Sequence, residues 1–221
     1  MTAGILPQKE NRWTARILST GGVFSAAELK RIAGLAERFG SGHVTATSRG
    51  TMEIDGIAAD KLDGLLDAVR ESGLRLGGTG ATVRSVTACK GTACVHGAFD
   101  VAALAVRLDA AFVGQPVPKK FKIGVFGCWN SMGKACSQDV GILPAGPGTF
   151  TLYMGGMMGK TPQLGIQVGT PVPAARLLEV IEGLLGVYRR QGEAGERFGR
   201  LLLRRPELVA QIQRDIASLC N

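Results

Sequence analysis

The chain has 221 residues, 45% of them apolar and 20% charged, with a formal net charge of +8. That length and balance suffice for a hydrophobic core without disulfides, and no apolar stretch approaches the roughly 18–20 residues of a membrane span. The positive charge suits nucleic acid, a membrane surface or a small anion, but 5% aromatic residues and the lack of a reading motif argue against nucleic acid.

The N-terminal MTAGILPQKENRW lacks a basic-then-apolar signal pattern, so the expected compartment is the cytoplasm. WTARILST reads as the first strand and GGVFSAAELKRIAGLAERFG as a turn and a helix. Ser25 is the expected N-cap, Glu28 completes a capping box, and Gly40 stops the helix. HVTATSRGTMEID reads as two short strands around Arg49 and Gly50, and AADKLDGLLDAVRESG as a second helix closed by Gly73. Strand, helix, strand, strand, helix is the ferredoxin-like order, which assigns residues 1–80 to a first unit.

The glycine-rich GLRLGGTGA marks a linker into a second unit over 81–221. A short strand at Val83–Thr87 leads into TACKGTACVHG, then come a helix over FDVAALAVRLDAAF and a strand over KFKIGVFG. GTFTLYMGGMMGKTPQLG reads as a strand with a glycine-rich turn, and residues from about 174 onward read as helical. Cysteines at strand ends put chemistry in loops beside a rigid sheet. The expected fold class is therefore α+β, with a ferredoxin-like N-terminal unit, an α/β unit and a helical C-terminal tail.

Five cysteines, Cys89, Cys94, Cys128, Cys136 and Cys220, are expected as thiols or metal ligands in a reducing compartment. Their spacings lack the C-x2-C knuckles of zinc sites; iron–sulfur ligation tolerates more varied spacings, and buried free thiols also fit. Basic residues inside apolar, strand-like segments stand out as well: Arg16, Arg84, and Lys120 with Lys122, which alternation puts on one face of a strand. Such cations suit a pocket for an anion.

Ordered fragments along nearly the whole chain carry a resemblance: GILPQKENRWTARI, GGVFSAAEL, TATSRGTMEIDGI, GLRLGGTG, CKGTAC, VPKKFKIGVFGCWN, QDVGI, YMGGMMGKTPQLG and GERFG. The sequence resembles the low-molecular-weight, single-repeat members of the sulfite and nitrite reductase family, which pair a siroheme with a 4Fe-4S cluster. The resemblance implies six-electron reduction of sulfite or nitrite. It implies that Arg16, Arg84, Lys120 and Lys122 bind the anion, that Arg49 contacts a siroheme carboxylate, and that Asn130 matches the asparagine of the family's C-P-N motif. It also implies an external electron-donor protein, since no flavin or nicotinamide segment is visible, and a homodimer, since one repeat carries both the basic and the cysteine sets.

Two positions depart from the family pattern. Trp129 replaces the usual proline, and Met132 stands where a cysteine that ligates the cluster and bridges to the siroheme iron is expected. A thioether is a weak, neutral donor. Three arrangements follow: Cys136 joins Cys89, Cys94 and Cys128 as fourth ligand, with Gly133 supplying a bend; the cluster has three thiolates and an open or non-cysteine position; or the protein is a non-catalytic electron-transfer or tetrapyrrole-binding member of the same fold.

Overall fold

The computed structural model describes residues 2–220, and the chain divides into two compact units, Met1–Gly80 and Ala81–Asn221. In the first, β1 (Ile5–Pro7), β2 (Arg12–Ile17), β3 (Val44–Ala46) and β4 (Met52–Ala58) form an antiparallel sheet of order β1-β2-β4-β3. Ala15, Ile17, Ile54 and Ile57 of the sheet pack with Ile32, Leu35 and Phe39 of α1 (Ala26–Phe39) and Leu65 and Val69 of α2 (Leu62–Glu71). The start of α1 is set locally: Ser25 Oγ accepts from the Glu28 N–H at 3.1 Å, and the Glu28 carboxylate accepts from the Ser25 N–H at 2.7 Å.

β1 is an addition to the predicted elements. The chain reverses between β1 and β2 with Glu10 and Asn11 at φ of 56° and 54°, and Arg12 N–H donates to the Lys9 carbonyl at 3.2 Å. Two successive positive φ values are what a tight two-residue hairpin requires, and Asn tolerates them better than most residues. Pro7, lacking an N–H, fits an edge strand.

The second unit is built on β5 (Thr87–Ala88), β6 (Ile123–Val125), β7 (Val140–Gly146), β8 (Thr149–Met154), β9 (Ile166–Gln167) and β10 (Val172–Pro173), in the order β10-β8-β7-β6-β5 with β9 paired to β8. β5, β6 and β7 run parallel, and β8 returns antiparallel to β7. Period-two alternation sorts the side chains. Ile142 and Leu152 enter the main core with α3 (Val101–Phe112), α5 (Leu177–Gln191), α6 (Phe198–Arg204) and α7 (Glu207–Cys220), whereas Leu143 and Tyr153 join a smaller cluster with Ala135 and Cys136 of α4 (Met132–Cys136).

β7 and α4 were not among the predicted elements. Together with β6 they form a strand–helix–strand step in which α4 lies directly on the sheet backbone. A Cβ at Gly141 would sit 2.1 Å from the Ala135 carbonyl oxygen, so only glycine permits this approach. Gly133, expected to bend the loop toward the other cysteines, is an ordinary helical residue of α4 with open space around it.

This contact makes a paired prediction. Gly141→Ala is expected to cost about 2–3 kcal/mol through overpacking. Gly133→Ala, in the same region but unobstructed, is expected to add about 0.5–1 kcal/mol. Urea midpoints measured side by side check both.

Candidate functional site

Because β5 and β6 are parallel, the loops that follow them meet at one end of the sheet. Cys89 follows β5 directly, and its N–H donates to the Val125 carbonyl at 3.2 Å. A single 3-10 turn over Gly91–Ala93 leads to Cys94, whose N–H donates to the Gly91 carbonyl, and Gly97 N–H donates to the Cys94 carbonyl, each at 2.9 Å. These two turns interlock: a Cβ at Gly97 would lie 1.9 Å from the Gly91 oxygen. Cys128, beyond the end of β6, opens the next 3-10 turn.

Cys89, Cys94 and Cys128 line one cavity of about 230 Å³ with Lys90, His96 and Asn130. Cys89 Sγ accepts hydrogen bonds from Gly127 N–H at 3.1 Å and Gly91 N–H at 3.5 Å. Backbone donors aimed at sulfur are the contacts that tune a cluster-bound thiolate. Among the described residues, no three His, Cys, Asp or Glu side chains are gathered as around a single metal ion. Three thiols lining one cavity are a donor set of the kind that holds an iron–sulfur cluster.

Cys136 is not in the lining of that cavity. It ends α4, is 7% exposed, and packs among Phe126, Ala135, Leu143 and Tyr153, a cluster that Cys89 touches from its edge. Burial pushes its thiol pKa up. Its carbonyl accepts from Gly165 N–H at 2.7 Å, and the five residues of α4 alone carry it about 7.5 Å of helical rise past Ser131. Met132, at the start of α4, is 47% exposed.

The basic residues of this unit sit at the opposite end of the same strands. Arg84 precedes β5, is 7% exposed, and donates from its backbone to the Phe121 carbonyl at 2.8 Å. Lys120 and Lys122, both half-buried, flank Phe121 just before β6. Phe121 is fully buried and packs against Tyr188 and Phe198 with ring centroids 5.7 and 5.5 Å away, which fixes the backbone from which both lysines extend. At a strand rise of about 3.3 Å per residue, the cation end and the cysteine end lie roughly 15–20 Å apart.

Two residues that the sequence reading did not single out organise the cation end. Asp139, fully buried before β7, accepts from the Lys122 N–H at 2.9 Å and from Arg197 Nη2 at 2.7 Å. Burial pushes its carboxyl up to about 6, against the opposing pull of Arg197. Its signal in the sequence is an acidic residue abutting the apolar run VGIL.

In the first unit, Arg16 is half-buried. It donates from Nε to Glu53 Oε1 at 2.6 Å and from Nη1 to the Gly78 carbonyl at 2.8 Å. Arg49 lies half-buried in the turn between β3 and β4, where burial first, and the charge of Arg16 second, press its pKa down. Two guanidiniums near one carboxylate leave a local excess of positive charge, which suits the carboxylates of a tetrapyrrole.

Two family models match this chain: the nitrite and sulphite reductase 4Fe-4S domain over residues 79–205, and the nitrite/sulfite reductase ferredoxin-like half domain over residues 6–72. This chain belongs to the nitrite and sulphite reductase family. Relatives within the family include the coenzyme F420-dependent sulfite reductase of Methanocaldococcus jannaschii, 33% identical over 55% of this chain and 20% of that protein. The NAD(P)H nitrite reductase of Neurospora crassa is 31% identical over 69% of this chain and 13% of that protein. The chain thus spans a minor part of these relatives. Dissimilatory sulfite reductase I shares the fold, with a TM-score of 0.80 at 16% identity over 92% of this chain and 69% of that one. No helix among the described residues is long and apolar enough to cross a membrane.

Asp139 yields a prediction in two parts. Asp139→Ala leaves the Arg197 guanidinium and the Lys122 N–H without their buried acceptor and is expected to lower stability at pH 7 by about 3 kcal/mol. Since the Asp139 carboxyl titrates at about 6 folded against 3.8 unfolded, the folded chain holds the extra proton between those values. Its contribution to stability is full below about pH 4 and is lost as pH rises through about 6. Urea midpoints between pH 4 and 7 are expected to fall through that window, with this component absent in Asp139→Ala.

Proposed function

We propose that the chain reduces sulfite or nitrite, using a 4Fe-4S cluster held by Cys89, Cys94 and Cys128 together with siroheme. The observation that carries this reading is the convergence of the three thiols on one cavity, with two backbone N–H groups directed at Cys89. When bound, the cluster and siroheme supply the electron chemistry. The work of the chain is to hold charge and deliver protons.

Arg84 and Arg16 are fixed guanidinium forks that bind the oxygens of a small anion, while Lys120 and Lys122 provide ammonium groups on flexible stems that polarise those oxygens and pass on protons. Arg49 neutralises a siroheme carboxylate, and Asn130, at the mouth of the cysteine cavity, supplies a neutral polar contact. Asp139 acts through the backbone of Lys122 as a positioning residue.

The separation of the cation end from the cysteine end along β5 and β6 supports a site shared between copies. One unit does not bring its own two ends together, whereas two copies related by a two-fold axis, each presenting one end to the other, form two equivalent composite sites. The remaining partner is an external electron-donor protein, and the cytoplasm is the proposed compartment. A second reading, a non-catalytic electron-transfer protein, is favoured by one observation: Met132 and Cys136 both lie outside the lining of the cavity.

Anaerobically purified protein is expected to contain iron, sulfide and extractable tetrapyrrole and to sediment as a dimer. Iron and sulfide without tetrapyrrole would support the electron-transfer reading instead. Lys122→Ala is expected to slow anion reduction about 100-fold with unchanged cluster content. Cys128→Ser is expected to lose the cluster.

A further inference from the structure

Resting on the cluster reading above, three thiols leave one iron of a four-iron cluster without a cysteine partner. Cys136 is embedded between α4 and the sheet, in a packing that Gly141 makes close and that the Gly165 N–H bond to its carbonyl secures. Its side chain is committed to the packing with Phe126, Leu143 and Tyr153 and is not among the residues that line the cavity. Cys220 ends α7, packs against the main core, and lies outside the stretch that matches the cluster domain.

The other groups lining the cavity differ sharply as iron donors. Lys90 brings a strongly hydrated point charge suited to anions and not to sulfide-bound iron. Asn130 and Ser131 offer neutral oxygens, which suit harder cations than sulfide-bound iron. His96 offers an imidazole nitrogen, a donor that iron accepts readily and that replaces cysteine in some iron–sulfur centres. It sits with Val95 at the corner of the Cys94–Gly97 turn, exposed to solvent, and that turn is locked against Gly91 because no Cβ fits at Gly97. The backbone of His96 is therefore held by the same interlocked turns that present Cys89 and Cys94. The cavity, at about 230 Å³, is far larger than the roughly 10–15 Å³ that one water requires.

We propose that His96 is the fourth ligand of the cluster, giving a centre with three thiolates and one imidazole. Replacing a thiolate by a neutral nitrogen removes one negative charge from the centre and raises its reduction potential relative to an all-cysteine cluster. The chain then keeps an electron-accepting cluster without a cysteine at position 132.

The chain contains two histidines, His43 and His96, so labelling histidine with nitrogen-15 marks only two side chains. Protein expressed with labelled and unlabelled histidine is purified anaerobically, assayed for iron and sulfide, reduced with dithionite and examined by pulsed paramagnetic resonance. The expected result is a nitrogen coupling to the cluster that changes with the isotope, is lost in His96→Ala and persists in His43→Gln. Cys136→Ser is expected to retain iron, sulfide and the coupling. A cluster with no histidine nitrogen coupling overturns the assignment while leaving the cluster reading intact, as does loss of the cluster in Cys136→Ser. Absence of iron and sulfide from the unmodified protein overturns the cluster reading itself and the assignment with it.

Discussion

Three strands running in one direction impose the layout of the second unit. Whatever precedes β5, β6 and β7 gathers at one end of the sheet, and whatever follows β5 and β6 gathers at the other. Arg84, Lys122 and Asp139 are thereby brought together from distant points in the chain, as are Cys89, Cys94 and Cys128. The hydrogen-bond ladder of the parallel strands sets these residues in register, and the Gly91–Ala93 turn adds Cys94 to its group. The same ladder keeps the two groups apart, so the direction of the strands both builds and divides the chemistry.

Charge at the cation end is balanced inside the protein before any ligand arrives. Asp139 and Arg197 are both nearly shut off from water, and each buried charge is tolerable because the other is at hydrogen-bond distance. The second bond of Asp139, to the Lys122 backbone, links this pair to the strand that carries the lysines. In the first unit Arg16 and Glu53 form a comparable but more open pair, 14% and 17% exposed. The two units thus handle positive charge by the same device at different depths.

What could be read from the sequence follows the range of the interactions involved. The capping box at Ser25 and Glu28 is decided within four residues, and α1 begins where those residues dictate. The ferredoxin-like order of the first unit was legible for the same reason, as were α3 and the strand β6 that precedes Cys128. β1 escaped notice because its hairpin depends on Glu10 and Asn11 adopting positive φ, a turn whose usual signal is a glycine. α4 escaped because a five-residue helix has too few turns for periodicity to register, and its stability comes from Gly141 across the sheet. The basic residues were found individually by their odd placement in apolar runs, whereas the division between cation and cysteine ends depends on strand direction, which no local pattern encodes. Cys136 looked available from its spacing alone; its burial among Phe126, Leu143 and Tyr153 arises from tertiary packing.

The ring triangle of Phe121, Tyr188 and Phe198 bears on selectivity. Phe121 anchors the main chain between Lys120 and Lys122, so the roots of their four-carbon stems are held rigidly. In the proposed anion site, two ammonium charges carried on long stems weigh the charge of a guest more strictly than its outline. A bent anion and a pyramidal one would be gripped on nearly equal terms.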